Sequence, residues 1–500
     1  MAEFIIANMA PLMFGSLVAF LLFGYPVAFA LAANGIVFGL IGMEVGLLTP
    51  AIFQALPERI FGIMANDTLL AIPFFTFMGL ILERSGMAED LLDTIGQLFG
   101  PMRGGLAYAV IFVGALLAAT TGVVAASVIS MGLISLPIML RYGYDKRLAA
   151  GVIAASGTLA QIIPPSLVLI IMADQLGRSV GDMYEGAMLP GLILTGLYVG
   201  YVVLLSIIKP SHCPALPPEA RTLRGAKLML RVLTTLVPPL VLIFLVLGTI
   251  FLGIATPTEG GAMGAAGALI LALGRKRITF KLLKQAMETT GKLSSFVVFI
   301  LVGSTVFGLI FRAVNGDLWV EHLLLGLPGG QMGFLIVVNI MVFVLAFFLD
   351  FFELSFIIVP LLAPVADKLG IDLVWFGVLL AVNMQTSFMH PPFGFALFYL
   401  RSVAPPTVKT TDIYWGAIPF VCIQIIMVAI IIIFPGVVSY GDDAQRAQAQ
   451  MEKDGTAPPP IDLDSMMKRD EGEGASDAEN KQKDDDTAAN LMKNLQSDSK

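Results

Sequence analysis

The stretch ASGTLAQIIPPSLVLIIMA, from Ala155 to Ala173, decides the fold. Its apolar flanks suit the interior of a lipid bilayer, yet its centre contains small polar residues, Gln161 and the pair Pro164–Pro165. A proline inside a helix removes a backbone hydrogen-bond donor and clashes with the preceding turn, at a cost of about 3 kcal/mol or more. The pattern therefore predicts a membrane helix that is interrupted at a functional position.

The composition of the chain is that of a membrane protein. Of its 500 residues, 57% are hydrophobic and only 13% are charged, whereas soluble proteins carry about 25% charged residues. Apolar runs of about 20 residues recur between residues 4 and 436 and predict an all-α polytopic protein in the lipid bilayer. The runs are continuous, which excludes the alternating pattern of a β-barrel. The net charge of −7 argues against a nucleic-acid partner.

The apolar runs also predict the spans. Residues 4–22 lack the charged start and cleavage site of a signal peptide, so we expect a retained span there. The acidic tail, residues 438–500, is expected to be disordered because it has few groups to bury. The predicted segments are 4–22, 25–43, 67–84, an apolar pair at 106–140, an interrupted helix at 146–173, 187–208, 232–252, 254–273, 292–312, a second pair at 332–367, a second interrupted helix at 373–403, and 413–436.

Lys and Arg in short loops predict the orientation of the chain. Loops 209–231 and 274–291 hold five basic residues each, so both are expected in the cytoplasm, as is loop 141–147. Counting outward predicts a periplasmic N-terminus and a periplasmic C-terminal tail. We interpret the two apolar pairs as re-entrant hairpins, because each has a polar or small-residue break, AATTGVV at 118–124 and LDFFELS at 349–355. The alternative is two full spans per pair, joined by a tight loop.

The interrupted helix has a second copy later in the chain. PIMLRYGYDKRLAAGVIAASGTLAQIIPPS begins at Pro137, and PVADKLGIDLVWFGVLLAVNMQTSFMHPPF begins at Pro364. A glycine, an aspartate and the double proline coincide at one offset of 227 residues, and the second double proline is Pro391–Pro392. These matches lie within matching hydropathy and predict an internal repeat.

The repeat divides the chain into two halves, residues 1–208 and 232–437, on either side of the basic loop 209–231. The orientation rule places the two halves in opposite directions across the membrane. Inverted repeats that each contain a re-entrant hairpin and a broken transmembrane helix are typical of secondary transporters, with the binding site near the bilayer midplane.

A broken helix exposes backbone carbonyls at the end of one half-helix and amides at the start of the next. The carbonyls suit Na⁺ and the amides suit an anion such as a carboxylate. We expect each double proline to start the second half-helix, where its missing N–H is no loss. Neutral oxygen ligands favour an alkali cation over a transition metal. Near the breaks such oxygens come from Ser156, Gly157 and Thr158 in the first copy, and from Asn383, Gln385, Thr386 and Ser387 in the second. The alternative role of these polar residues is hydrogen bonding between helices.

Two carboxylates, Asp350 and Glu353, lie in the break of the second hairpin. A carboxylate at membrane depth costs on the order of 2.5–3.5 kcal/mol and indicates a function by default. The alternatives are that Asp350 caps the second leg of the hairpin, or that both residues face water.

Glu259 is expected to cap a helix, and His390 is expected either to line the cavity or to form a hydrogen bond with the backbone. A membrane-embedded enzyme using the two carboxylates is the rival of another class, although the first hairpin has no matching pair.

Four motifs together resemble the large membrane subunit of TRAP (tripartite ATP-independent periplasmic) transporters: ASGTLAQIIPPS, GIATPTEGGAMGA, LDFFELSFIIVP and PPFGFALF. The resemblance covers residues 1–437 in the right order. It implies an elevator-type fold and sodium-driven uptake of organic acids and related solutes through the prokaryotic cytoplasmic (inner) membrane. It also implies two partners, a small four-helix membrane subunit and a soluble periplasmic binding protein that delivers the substrate.

The resemblance assigns residues to two sodium regions and to substrate contact or gating. The first sodium region would be Thr120, Thr121 and Gly122 with Ser156, Gly157 and Thr158; the second would be Asp350 with Asn383, Gln385, Thr386 and Ser387. The substrate or gating positions are Gln161, Pro164, Pro165, Glu353, His390, Pro391 and Pro392.

The chain also departs from the commoner family pattern. Glu353 stands where a neutral residue is expected, His390 where threonine is frequent, and Gly260 and Gly261 replace alanines. These departures put the usual C4-dicarboxylate substrate in doubt. A self-sufficient divalent-anion:sodium symporter is the alternative of the same class, and it would need no binding protein.

Overall fold

The computed structural model describes residues 2–121, 124–391 and 394–439, and the regular elements within these ranges are all helical. Gly122, Pro392 and the tail from residue 440 therefore lie outside the described residues. The helices of the first half are α1 Ala2–Ala7, α2 Met9–Leu22, α3 Val27–Glu44, α4 Leu56–Met64, α5 Ala71–Arg84, α6 Met87–Phe99, α7 Gly105–Thr121, α8 Val124–Arg141, α9 Lys146–Thr158, α10 Leu167–Leu176 and α11 Val180–Ile208.

The second half follows the same plan. Its helices are α12 Gly225–Phe251, α13 Pro257–Gly274, α14 Phe280–Ala313, α15 Gly316–Leu325, α16 Gly330–Leu345, α17 Phe351–Glu353, which continues through a π-helical turn Leu354–Ile358 into α18 Val359–Lys368, then α19 Leu373–Met384, α20 Phe395–Val403 and α21 Thr410–Ile433. Short 3₁₀ turns occupy Pro50–Ala55, Asp67–Leu70, Leu159–Gln161, Pro210–His212, Pro218–Ala220, Gln385–Phe388 and Pro435–Val437.

Six helices in the described part of the chain are long and apolar enough to cross a membrane: α3, α8, α11, α12, α14 and α21. Two bent pairs raise the number to eight if each is one span. They are Pro50–Met64 with Asp67–Arg84, bent by 45°, and Gly316–Leu325 with Gly330–Leu345, bent by 116°. The prediction of an all-α polytopic membrane protein is confirmed. Helices α4, α6 and α15 were not predicted, because their polar residues interrupt the apolar runs.

The loops that the sequence marks as basic lie together at one end of the molecule, which we call the basic end. The backbone N–H of Asp145 donates to the carbonyl of His212 at 2.9 Å, and the N–H of Gly104 donates to the carbonyl of Cys213 at 2.9 Å. The loop after α11 therefore lies across the start of α7 and the α8–α9 connection. Arg277 joins the same group by donating to the carbonyl of Gly86 at 3.1 Å.

The first hairpin, α7–α8, thus begins and ends at the basic end, whereas the second begins and ends at the opposite end. There Lys368, the last residue of α18, pairs with Glu321 of α15 at 2.6 Å. Arg178, just after α10, lies 3.9 Å from Asp367. Because α9–α10 runs from the basic end to this opposite end, the two hairpins enter the protein from opposite sides, as inverted repeats require.

Both hairpin tips lie at the depth of the helix breaks. Gly157, next to the last residue of α9, lies against Val128, about one turn beyond the start of α8. In the second half, the Ser355 hydroxyl lies 3.7 Å from the sulfur of Met384, the last residue of α19. The tips therefore end inside the protein, as re-entrant hairpins do, and not at the far surface, as two full spans would.

The two halves share local backbone geometry as well. Gly143 and Gly370 both have a left-handed backbone, with φ of +83° and +70°, which glycine adopts without strain. Two residues later, Asp145 caps α9 by accepting from the N–H of Leu148 at 3.1 Å. Asp372 caps α19 by accepting from the N–H of Trp375 at 2.7 Å. The internal repeat predicted from the sequence is confirmed.

Candidate functional site

Each broken helix contains an unwound link between two half-helices. In the first, α9 ends at Thr158 and α10 begins at Leu167; in the second, α19 ends at Met384 and α20 begins at Phe395. Backbone groups in these links are not all held in α-helical bonds. The described residues of both links are buried except for Pro391, which is half-buried.

The prediction that the double prolines start the second half-helices is wrong. Pro164 and Pro165, joined by a cis peptide bond, lie before Ser166, which is the N-cap of α10. Gly394 is the N-cap of α20, and Pro391 precedes it by three residues. The prolines belong to the links because capping residues, which adopt a non-helical backbone, follow them. The Ser166 hydroxyl donates to the Gln161 carbonyl at 2.5 Å and so closes the first link.

The two breaks meet in the middle of the fold. The side-chain amide of Gln385 donates to the Thr158 hydroxyl at 3.1 Å, and these two residues occupy the same position in the two repeats, 227 residues apart. A second cross-repeat bond lies nearby, where the amide of Gln424 donates to the Tyr198 hydroxyl at 3.0 Å. Tyr198 and Gln424 were not predicted as site residues, because each is a single polar residue in a long apolar span.

Several predicted oxygen donors are engaged in hydrogen bonds. The Thr158 hydroxyl donates to the Ala155 carbonyl at 2.8 Å, and the Thr386 hydroxyl donates to the Asn383 carbonyl at 2.6 Å. The Asn383 amide donates to the backbone and side-chain oxygens of Asn339 at 2.8 and 2.9 Å. Interhelical bonding, the alternative role, therefore holds for Asn383 and Thr158. Asn339 is a further site residue that the sequence reasoning missed.

Other predicted residues carry buried polar atoms without a partner among the described residues. These atoms are Ser156 Oγ, Gln161 Oε1, Gln385 Oε1 and Ser387 Oγ. Buried polar atoms are nearly always paired, so an unpaired set at two breaks indicates an ion, a ligand or water as the partner. Gly157 has no side chain to offer, and its Cα lies against Val128.

Asp350 and Glu353 form a reciprocal capping box at the second hairpin tip. Asp350 Oδ1 accepts from the N–H of Glu353, and Glu353 Oε2 accepts from the N–H of Asp350, both at 2.9 Å. The predicted capping role of Asp350 is confirmed and extends to Glu353. Glu259 forms the same kind of box with Thr256, as expected.

The two roles predicted for His390, lining the cavity or bonding to backbone, remain predictions. Its ring is buried between Phe347, stacked at 4.2 Å between ring centroids, and Phe343, edge-on at 4.4 Å. Within the described chain neither ring nitrogen makes a hydrogen bond of ordinary geometry.

Thr120 and Thr121 end α7 at the first tip, as expected of residues near the break. Another missed carboxylate, Glu83, accepts from Ser130 of the first hairpin at 2.6 Å.

Inverted hairpins and facing broken helices define a secondary transporter. Residues 14–437 match the family described as "Tripartite ATP-independent periplasmic transporter, DctM component". The chain therefore belongs to the TRAP transporter family as a large permease subunit, and it is a transport component and not an enzyme.

Two relatives agree with this assignment, and a solved structure shares the fold. The chain is 30% identical to the C4-dicarboxylate TRAP transporter large permease protein DctM of Pseudomonas aeruginosa, over 80% of this chain and 92% of that protein. It is 25% identical to the sialic acid TRAP transporter permease protein SiaT of Haemophilus influenzae, over 78% of this chain and 62% of that protein. The crystal structure of the YdaH transporter of Alcanivorax borkumensis shares the fold, with a TM-score of 0.52 and 14% identity over 76% of this chain and 86% of that one.

Proposed function

We propose that this subunit imports a small organic acid or related solute into a prokaryotic cell, driven by inward movement of Na⁺ across the inner membrane. A soluble periplasmic binding protein delivers the solute, and a small four-helix membrane subunit completes the complex. The hairpins and broken helices move together in an elevator-type motion against a scaffold that includes α3 and α14.

The observation that carries the sodium proposal is the set of unpartnered oxygens at the two breaks. Ser156 and Gln161 supply one pair, and Gln385 and Ser387 supply the other. All four are neutral, hard donors in a buried region, which is the donor set that an alkali cation prefers over a transition metal. Carbonyls freed at the ends of α9 and α19 add further oxygens.

Entry of an organic acid is supported by a cavity of about 340 Å³ at the end opposite the basic end, where a solute delivered from the periplasm would arrive. Two arginines, Arg59 and Arg312, are among the residues that line it, beside the pair in which Asn66 donates to Asp174 at 2.6 Å. Arginine binds carboxylates with two parallel hydrogen bonds and stays charged at all relevant pH values. The two relatives described above are named for C4-dicarboxylates and sialic acid, both of which are acids.

The sodium proposal is tested with the full-length chain and its two partners in proteoliposomes. The solute is first identified by ligand screening of the binding protein, and uptake is then measured with an inward Na⁺ gradient and with K⁺ in its place. We expect uptake only with the Na⁺ gradient. Equal uptake in K⁺ would disprove sodium coupling, and uptake without the binding protein would favour the self-sufficient symporter instead.

The elevator proposal is tested with two matched cross-links in a C213A/C422A background. Phe352 of the second hairpin packs on Phe296 of α14 with 5.7 Å between ring centroids, whereas Phe29 and Phe299 join two scaffold helices at 5.1 Å. A short bismethanethiosulfonate reagent should abolish uptake in F296C/F352C, and a reductant should restore it, because this link ties the moving part to the scaffold. The same link in F29C/F299C should leave uptake intact. Full uptake in the cross-linked F296C/F352C protein would contradict the motion.

A further inference from the structure

A cavity of about 650 Å³ lies between the scaffold and the second hairpin. Its scaffold wall comes from the start of α3 and the middle of α14, and its opposite wall comes from the hairpin tip and α20. We call it the acidic aromatic cavity. It is distinct from the cavity that contains Arg59 and Arg312, since the two share none of their lining residues.

The titratable side chains that line this cavity are acidic. Asp350 and Glu353 both line it, and none of the described residues that line it is Lys, Arg or His. The capping box occupies Oε2 of Glu353 and leaves Oε1 available. An ionised carboxylate at this position repels an anionic group inside the cavity and attracts a cationic one.

The rest of the wall is unusually aromatic. Nine of the 19 lining residues are Phe or Tyr, and they face the same space as the carboxylates; Tyr25, Phe29, Phe296, Phe299, Phe352 and Tyr399 are six of them. Aromatic faces attract cations that shed water easily, and quaternary ammonium groups are the ligands that aromatic cages recognise best. A bare alkali ion needs oxygen ligands instead, which ring faces do not provide.

A buried hydroxyl marks a second feature of the same region. Ser387 Oγ has no partner among the described residues, and the side chain is only 3% exposed. It lines an adjoining cavity of about 370 Å³ that shares Leu21, Phe348, Leu349 and Phe395 with the acidic aromatic cavity. An unpaired hydroxyl can donate a hydrogen bond to a carboxylate. The Ser387 oxygen can ligate Na⁺ while its hydroxyl proton is donated to a carboxylate. A ligand with a cationic end and a carboxylate end therefore matches the two neighbouring cavities.

We propose that the acidic aromatic cavity binds the methylated ammonium group of a zwitterionic organic acid, with Asp350 and Glu353 balancing its charge and the aromatic wall contacting its methyl groups. This inference rests on the proposed import of an organic acid and names its chemical class. It assigns Glu353, the residue that departs from the family pattern, to recognition of the solute.

The test compares two probes of the same shape. Trimethylglycine carries a quaternary ammonium group, whereas 3,3-dimethylbutanoate has an uncharged tert-butyl group in its place. The thermal midpoint of the full-length chain in detergent micelles is measured against the concentration of each probe in fixed Na⁺, and the shift gives the affinity. We expect trimethylglycine to raise the midpoint at millimolar concentration and to bind roughly tenfold more tightly than 3,3-dimethylbutanoate.

Two variants locate the site. E353Q keeps the capping box, because glutamine serves at that position as well as glutamate, but removes the acidic group. F296L keeps apolar area but removes an aromatic face. Each should weaken trimethylglycine binding by roughly fivefold to tenfold, whereas E288Q and F280L, at exposed positions of α14 outside the cavity, should not.

Three results would overturn the inference. They are equal binding of the two probes, no binding of trimethylglycine, and trimethylglycine binding that is unaffected by both E353Q and F296L. None of these depends on the sodium gradient. Failure of sodium-coupled uptake, with trimethylglycine binding intact, would instead overturn the proposed function alone.

Discussion

The contact between hairpin and broken helix is made twice in this protein, with different chemistry each time. In the first repeat, Gly114 of α7 packs against Ser156 of α9 so closely that an added Cβ would lie 2.5 Å from the serine Cβ. In the second repeat, the residue that matches Ser156 is Asn383, and its side chain is joined to that of Asn339 in α16 by a hydrogen bond of 2.9 Å. One backbone plan thus supports a steric contact in one half and a polar contact in the other.

The tips of the two hairpins also differ in their side-chain chemistry. The second tip carries the Asp350–Glu353 capping box, whereas Ala126 occupies the position that matches Glu353 in the first repeat, 227 residues earlier. The second tip also borders the acidic aromatic cavity. The duplicated fold thus supplies the same backbone geometry twice, while the matching positions carry side chains of different chemistry.

The steric contact of the first repeat gives the largest expected effect. G114A places a methyl group against Ser156, including its backbone carbonyl at 3.0 Å, so α7 and α9 must separate. Overpacking of this kind costs about 3 kcal/mol at the upper end of its range. The free energy of unfolding, measured by SDS titration in mixed micelles, should fall accordingly.

The matched control is G196A, because a Cβ at Gly196 of α11 meets nothing within 4 Å. Alanine is the better helix former, so this variant should be as stable as the parent protein or slightly more stable. Equal losses in G114A and G196A would show that the close approach of α7 and α9 is not a tight constraint.

The polar contact of the second repeat should respond differently. N383A removes the amide that bonds to Asn339 and leaves the Asn339 side-chain oxygen unpaired in a buried position, at a cost of about 2 kcal/mol. In N339A/N383A both polar side chains are gone, so the double variant should lose less stability than the sum of the two single variants. Additive losses would mean that the two asparagines do not act as a pair.

Loss of the capping box at the second tip should have the next smaller effect on stability. D350A removes the oxygen that accepts from the N–H of Glu353 and should cost about 1 kcal/mol of unfolding free energy. D350N retains an N-cap oxygen and should be close to the parent in stability. Sodium-dependent uptake separates the two roles of this residue. If Asp350 also ligates Na⁺, D350N will need more Na⁺ for half-maximal uptake despite its normal stability, and an unchanged requirement would leave Asp350 with capping alone.

The sequence was sufficient to predict the repeat and the two helix breaks, because a glycine, an aspartate and the double proline recur at one offset. Each of these residues has a local role in the backbone. It placed Ser156, Gln385 and Ser387 at the breaks for the same reason. It did not place Tyr198, Gln424 or Asn339, since a lone polar residue in an apolar span gives no periodic signal. It also misplaced the prolines, which lie two to four residues before the first residues of α10 and α20. The caps that start these helices depend on how each link turns, which is set by tertiary contacts.

The smallest expected effect lies where the two repeats touch. Gln385 and Thr158 hold the same position in their repeats, and the hydrogen bond between them joins the two breaks directly. Interhelical bonds inside membrane proteins average about 0.6 kcal/mol in double-mutant cycles. The cycle T158V, Q385L and T158V/Q385L should therefore give a coupling of about that size in unfolding free energy. A larger coupling in uptake than in stability would mean that the two residues also act together in transport, as joint Na⁺ donors would. Equal coupling in both would mean that the two breaks travel as one unit, which the elevator-type motion requires.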